Sequence, residues 1–118
     1  MSGSTRYHAG RIAEDLVAQD YTRRNHGIAA RRWRGRSGEI DLIVREGETL
    51  VFVEVKKSRS FARAATRLGR RQMDRICASA REFLAGEPKG QLTDVRFDLA
   101  VVDAIGAVKV IENAFMEA

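Results

Sequence analysis

Four charged residues in two short apolar runs carry the chemistry this sequence offers: Glu39 and Asp41 in GEIDLIV, and Glu54 and Lys56 in VFVEVKK. Side chains on a strand alternate between faces, so Glu39, Asp41 and Ile43 share one side of the first run. Phe52, Glu54 and Lys56 share one side of the second. If the polar Glu46-Gly47-Glu48-Thr49 closes the two runs into a hairpin, Asp41 faces Glu54 and Glu39 faces Lys56. Directly opposed Cβ atoms lie about 4.5–5.5 Å apart, and like charges so placed are destabilising. Two carboxylates held together among Ile, Leu, Val and Phe therefore predict a divalent cation between them. Two oxygen ligands with water elsewhere suit Mg²⁺ or Mn²⁺. Such an ion polarises a phosphodiester and lowers the pKa of a bound water. Lys56, one strand step beyond Glu54, would orient or deprotonate that water, or offset phosphoryl charge. The competing account makes Glu39–Lys56 a salt bridge and leaves Asp41 and Glu54 facing water. Ile43 and Phe52, in line with the charges, argue against an exposed face.

The remaining chain must position this hairpin. Residues 1–5 are small and polar and are expected to fray. From about Thr5 to Arg24, Ala9, Ile12, Ala13, Leu16, Val17 and Tyr21 recur at helical steps. Glu14 lies on the flank of that stripe, where it points either into water or inward at a sheet. Asn25-His26-Gly27 is a helix stop. A first strand is expected over residues 28–34, with Arg31, Arg32, Arg34 and Arg36 surrounding Trp33. That grouping suits phosphate contacts beside a stacking ring, although Trp33 equally suits a core or sheet-edge position. Residues 58–68 show no clear period and are expected to form a mobile loop. The helical period returns from Gly69 to Ala85, with Met73, Ile76, Cys77, Ala80, Phe83 and Leu84 on one face and Cys77 read as a core thiol. Arg70, Arg71, Arg75 and Arg81 lie off that face. Gly86 and Pro88 end the helix. Asp94–Asp103 reads as a strand, continuously apolar at its end and so central. A turn at residues 104–107, a short strand at 108–111 and a helical turn at 113–118 complete an α/β order.

A chain of 118 residues with 44% hydrophobic and 31% charged residues is expected to form one domain, residues 1–118, with a substantial core. Residues 1–81 hold 18 of the 21 Lys and Arg but only 9 of the 16 Asp and Glu, and 17 of the basic residues are Arg. A basic majority carrying an acidic pair points to a polyanion partner with a cation site inside it; an Arg-rich soluble surface is the plain alternative. The single Cys77 excludes an internal disulfide and a cysteine zinc site. With no apolar leader and no bilayer-length run, no membrane partner is expected, and the protein should be cytoplasmic. His8 and His26 lack ligand-like neighbours in sequence. Gly35, Gly38 and Gly47 mark turns rather than a phosphate-binding loop, and nothing supports a Ser/His/Asp triad.

Asp41 with Glu54-Val55-Lys56 resembles the D…ExK signature of the PD-(D/E)xK nucleases. The fuller set matches more closely: Glu14 in an opening helix, GEIDLI at Gly38–Ile43, VFVEVK at Val51–Lys56, an Arg-rich helix and RFDLAVV at Arg96–Val102 resemble the small bacterial YraN-like family, itself similar to archaeal Holliday junction resolvases. The resemblance covers nearly the whole chain. It implies a restriction-endonuclease-like core (αβββαβ), a mixed sheet of about four to five strands flanked by helices. It further implies Mg²⁺- or Mn²⁺-dependent hydrolysis of phosphodiester bonds in DNA, branched or damaged. Asp41, Glu54 and Glu14 would be metal ligands and Lys56 the catalytic lysine, with Glu39 and Gln72 ranked below them. Arg31, Arg32, Arg34, Arg36, Arg59, Arg70, Arg71 and Arg75 would hold nucleic acid, and a two-fold dimer would suit a two-strand cut. There are departures: Ser58 stands where relatives often carry Arg, Arg32 where many have Asn, and Arg70 or Arg71 where a Lys is usual. A nucleic-acid-binding module of the same fold without effective turnover is the alternative, and a protein-interaction scaffold the third reading.

Overall fold

In the computed structural model, residues 2–115 are described, with side chains from Gly10 onward. The opening helix, α1, runs Ser2–Arg23 and so begins earlier than its apolar stripe suggests. It stops where expected. The N–H groups of Arg24 and His26 both donate to the Tyr21 carbonyl at 3.0 Å, and Asn25 takes a positive φ of 66°. Five strands follow: β1 Gly27–Arg34, β2 Glu39–Glu46, β3 Thr49–Lys57, β4 Val95–Val102 and β5 Val108–Ile111. They form one sheet in the order β1-β2-β3-β4-β5, antiparallel throughout except for the parallel β3–β4 pair. The crossover between β3 and β4 carries α2, Phe61–Arg67, and α3, Arg70–Leu84. The expected mixed α/β core with a sheet of about five strands is thus present.

The hairpin register pairs Leu42 with Val53 and Ile43 with Phe52, as the alternation requires. Its loop is tighter than the four residues expected, because Glu46 pairs with Thr49. Only Gly47 and Glu48 turn, and Gly47 supplies the positive φ of 60°.

The two faces of the sheet have different covers. On one, Ala13, Val17, Ala18 and Tyr21 of α1 pack against Leu42, Val44, Val51, Val53, Ala100 and Val102. On the other, Ile76, Ala80 and Leu84 of α3 meet Ile40, Ile43, Leu50 and Phe52. Each Val, Leu, Ile or Phe side chain so removed from water contributes roughly 1.5–3 kcal/mol. Beside α3, Ala64 of α2 is buried against Leu99 and Val101 with Phe61 alongside.

That helix replaces the mobile loop expected over residues 58–68. Ser60 caps it by accepting from the Arg63 N–H at 3.2 Å, and two apolar anchors spaced three apart, Phe61 and Ala64, dock it on β4. Seven residues are too short to show a period, yet a cap and two contacts suffice. Of the helical turn expected at 113–118, residues 112–115 form turns, and 116–118 lie outside the described residues. No helix among the described residues is long and apolar enough to cross a membrane.

Candidate active site

The site arises where β2 and β3 part company. Their ladder ends at Leu42–Val53. Continued, it would bring the Val55 N–H to Ile40; instead Val55 donates to Asp41 Oδ2 at 2.8 Å. On its other side β3 stays paired, Glu54 beside Leu99 and Lys56 beside Val101 of β4. Asp41 and Glu54 thus face each other across an opening in an otherwise closed sheet, on the face covered by α2 and α3. They line one cavity of about 200 Å³ with Gly38, Glu39, Gln72, Arg75 and Ile76.

The electrostatics there are unfavourable as they stand. Burial, then the charge of Glu54 and a hydrogen bond with it, push the Asp41 carboxyl up from 3.8 to about 7; the Val55 N–H opposes the rise and Glu39 adds to it. Glu54 is only 7% exposed. Its Oε2 accepts from the Gln72 amide and lies 3.4 Å from Lys56 Nζ. An acid pair, Glu54 buried and Asp41 partly so, with one flanking ammonium is short of positive charge.

The other expected ligands sit differently. The expected Glu39–Lys56 pair does not form, because the strands have separated by that point: Glu39 lies 3.6 Å from Arg34 across the β1–β2 pairing, while Lys56 turns to Glu54. Glu14, with its side chain 12% exposed, accepts from Arg32 Nε at 2.7 Å. It does not complete an acidic triad: among the described residues no three His, Cys, Asp or Glu side chains cluster closely enough to hold a metal. Arg32 sits at a positive φ of 51°, flanked in the β1–β2 register by the Arg31–Leu42 and Trp33–Ile40 pairs, hence alongside Asp41.

The arginines fall into two groups. Those of β1 are engaged with acids, Arg31 with Asp15, Arg32 with Glu14 and Arg34 with Glu39. By contrast, among the described residues Arg36, Arg59, Arg71 and Arg75 make no ion pair, and neither do Lys57, Arg63 and Arg67. Arg70 is exposed at the start of α3. Trp33 proves to be a packing residue, edge-on to Phe83 at 5.4 Å between centroids. Cys77, expected as a core thiol, is instead half-buried at the edge of the α3 stripe, and desolvation raises its thiol pKa.

Two site-shaping residues escape sequence reasoning. Glu82 of α3 accepts from the N–H groups of Arg36 at 2.8 Å and Ser37 at 3.1 Å, and Ser79 donates to the Gly38 carbonyl at 3.0 Å. Together they pin the turn that delivers Glu39 and Asp41. Gly35 leaves room there, since a Cβ would lie 2.8 Å from both the Glu82 carboxylate and the Trp33 ring and would force one of them to move. The available signal was Ser79, a polar residue on an otherwise apolar stripe.

A family model described as "Uncharacterised protein family UPF0102" matches residues 13–102. The chain belongs to this family. It is 65% identical to a UPF0102 protein of Cereibacter sphaeroides strain KD131, over 98% of each chain. It is 60% identical to one of Ruegeria pomeroyi, over 97% of this chain and 94% of the relative. A third, from Dinoroseobacter shibae, is 46% identical over 92% of this chain and 81% of the relative. The UPF0102 match begins in α1 ahead of Glu14 and closes at the end of β4, so Asp41, Glu54, Lys56 and Gln72 all lie within it while β5 lies beyond.

Proposed function

We propose that the chain is a divalent-metal-dependent endonuclease that hydrolyses phosphodiester bonds of DNA at the Asp41–Glu54 cavity. The observation that carries this reading is the pair of acids, Glu54 buried and Asp41 partly so, opposed across a strand opening, with Lys56 3.4 Å from one of them. The residues fit Mg²⁺ or Mn²⁺: two carboxylates with a shortage of local positive charge, in a cavity large enough to keep water about the ion. Asp41 and Glu54 would hold it, and bound there it would activate water and offset charge on the phosphoryl oxygens. Lys56 then supplies a fixed positive charge at the scissile group and a proton donor within reach of it. Gln72 holds Glu54 in its rotamer. Arg75, on the cavity wall, offers a guanidinium to the phosphate.

Purified protein incubated with four-way junction, flap, single- and double-stranded DNA in Mg²⁺, Mn²⁺ or EDTA tests the proposal. Metal-dependent cleavage by wild type and none by Asp41→Ala is the expected result. Equal residual cleavage by both would expose contamination and end the reading. One observation favours a second reading, binding of nucleic acid without turnover: Glu14 is held by Arg32, which leaves two acids rather than three. That reading predicts a salt-sensitive complex indifferent to metal.

A further inference from the structure

A second recess adjoins Lys56. It encloses about 140 Å³ and is lined by Lys56, Lys57, Ser58, Ala64 and Arg67. Lys56 links the two: its ammonium lies 3.4 Å from Glu54, which lines the acidic cavity, and Lys56 itself lines the basic recess. The walls are built rather than loose. Ser58 donates its N–H to the Val102 carbonyl at 3.0 Å and its hydroxyl to the Ser60 carbonyl at 2.9 Å. Ser60 in turn caps α2, and Ala64 is buried on β4.

Three cationic residues line this space and no acid does. Among the described residues Lys57 and Arg67 make no ion pair, whereas the arginines of β1 are each answered by a carboxylate. Like charges gathered in a partly enclosed space repel one another, and an anion seated among them relieves that. Water occupies about 30 Å³ per molecule, so the recess has room for one phosphoryl group with its hydration. The surroundings extend the pattern. Residues 57–75 hold seven cations and one acid, Asp74, so the recess belongs to a strongly basic stretch of the chain. A small anion would need only the recess; a stretch of this kind matches a polyanionic strand.

We propose that the Lys56–Lys57–Arg67 recess seats a phosphoryl group of the same nucleic-acid strand whose neighbouring diester enters the Asp41–Glu54 cavity. The inference rests on reading that cavity as a phosphodiester site. It assigns phosphate contacts to Lys57 and Arg67, in the segment after β3, and moves them away from β1. The seated group is either an internal diester or a terminal phosphate.

The test measures binding in EDTA, so that cleavage does not enter. Labelled oligonucleotides are titrated by fluorescence anisotropy at several salt concentrations against wild type, Arg67→Ala, Arg67→Glu, Lys57→Ala and Arg23→Ala. Lys57 and Arg67 are both exposed, and matching melting temperatures verify that each variant folds. Arg67→Ala and Lys57→Ala are expected to weaken binding by about 3- to 10-fold and to reduce the salt slope by about one each, with Arg67→Glu weaker still. Arg23→Ala, at the end of α1 on the opposite face, is expected to change neither. Equal affinity for 5′-phosphorylated and 5′-hydroxyl oligonucleotides identifies the group as an internal diester. A preference for the phosphorylated end that Arg67→Ala removes identifies it as terminal. Wild-type affinity and slope in both alanine variants overturn the proposal, even if wild type cleaves DNA in Mg²⁺. Weakened binding in those variants with no cleavage by wild type leaves the recess standing and removes the nuclease reading instead.

Discussion

Asp41→Asn should make the metal-free protein more stable at alkaline pH while destroying the site. The Asp41 carboxyl is displaced from 3.8 to about 7 by burial and by Glu54, so the fold favours its neutral form. For an acid whose folded pKa is raised, the stabilisation is complete below the unfolded value and is lost as pH rises through the folded one. Stability attributable to Asp41 therefore drains away between about pH 4 and pH 7. About three pH units at roughly 1.4 kcal/mol each set a ceiling near 4 kcal/mol, and solvent at the cavity mouth reduces this to about 2 kcal/mol. The asparagine oxygen can still accept from the Val55 N–H, so the substitution removes charge without orphaning the strand. For a domain of this size about 2 kcal/mol corresponds to about 8 °C in melting temperature. Melting curves in EDTA should show wild type and variant close together near pH 4 and the variant higher by about that amount near pH 8. Excess Mg²⁺ should raise the wild-type midpoint at the higher pH and leave the variant unmoved. A gap between the two proteins that does not widen with pH would refute the reasoning, because neither burial nor Glu54 would then be holding the Asp41 carboxyl in its neutral form.

Lys56→Ala should lower metal-dependent cleavage by at least about 10²-fold while weakening DNA affinity in EDTA by no more than the roughly 3- to 10-fold expected of Lys57→Ala, as read by single-turnover cleavage beside anisotropy. Tyr21→Phe removes one donor from the buried Asp98 carboxylate, now 2.7 Å from the Tyr21 hydroxyl, and should lower unfolding free energy by about 1–3 kcal/mol in urea titrations; an unchanged midpoint contradicts this. Glu82→Ala should speed hydrogen exchange at the Arg36 and Ser37 amides with little change in global melting, since it frees only the turn ahead of Glu39.

The legible parts of this molecule are those in which one periodicity repeats long enough to count. Alternation along Ile40–Val44 and Leu50–Val55 predicts both the hairpin and its register, because a one-residue slip would turn every apolar side chain to the wrong face. The stripe from Ile76 to Leu84 predicts α3 for the same reason. Elements held by one or two specific contacts do not announce themselves. The short α2 depends on Ser60, Phe61 and Ala64 alone. Pairing also misleads where strands stop pairing. Alternation extends the hairpin to Glu39 and Lys56, but nothing in it marks that Val55 will give its N–H to a side chain and let the strands part. Nor does a run of arginines tell which will meet acids at home: Asp15 and Glu14, distant in sequence, answer Arg31 and Arg32.

Two carboxylates in this one sheet, Asp98 and Asp41, show what separates an acid that holds the fold from one that offers chemistry. Asp98, fully buried in β4, accepts from Tyr21 at 2.7 Å, from Arg96 at 2.9 and 3.0 Å, and from the Asn113 N–H at 3.2 Å. Its charge is answered within the chain, and a cation from outside would have nothing to add. Asp41 has a single backbone donor and faces a second carboxylate. Both positions fall on strands with apolar neighbours, so strand periodicity treats them alike. The difference lies in what stands across from each: an arginine two residues away on the same strand for Asp98, another acid over an open strand gap for Asp41. An acid pair left short of positive charge lowers stability as pH rises, and a fold that retains it has the electrostatics of a cation seat. That is why the pH dependence of Asp41→Asn, rather than the count of nearby arginines, bears most directly on the proposed chemistry.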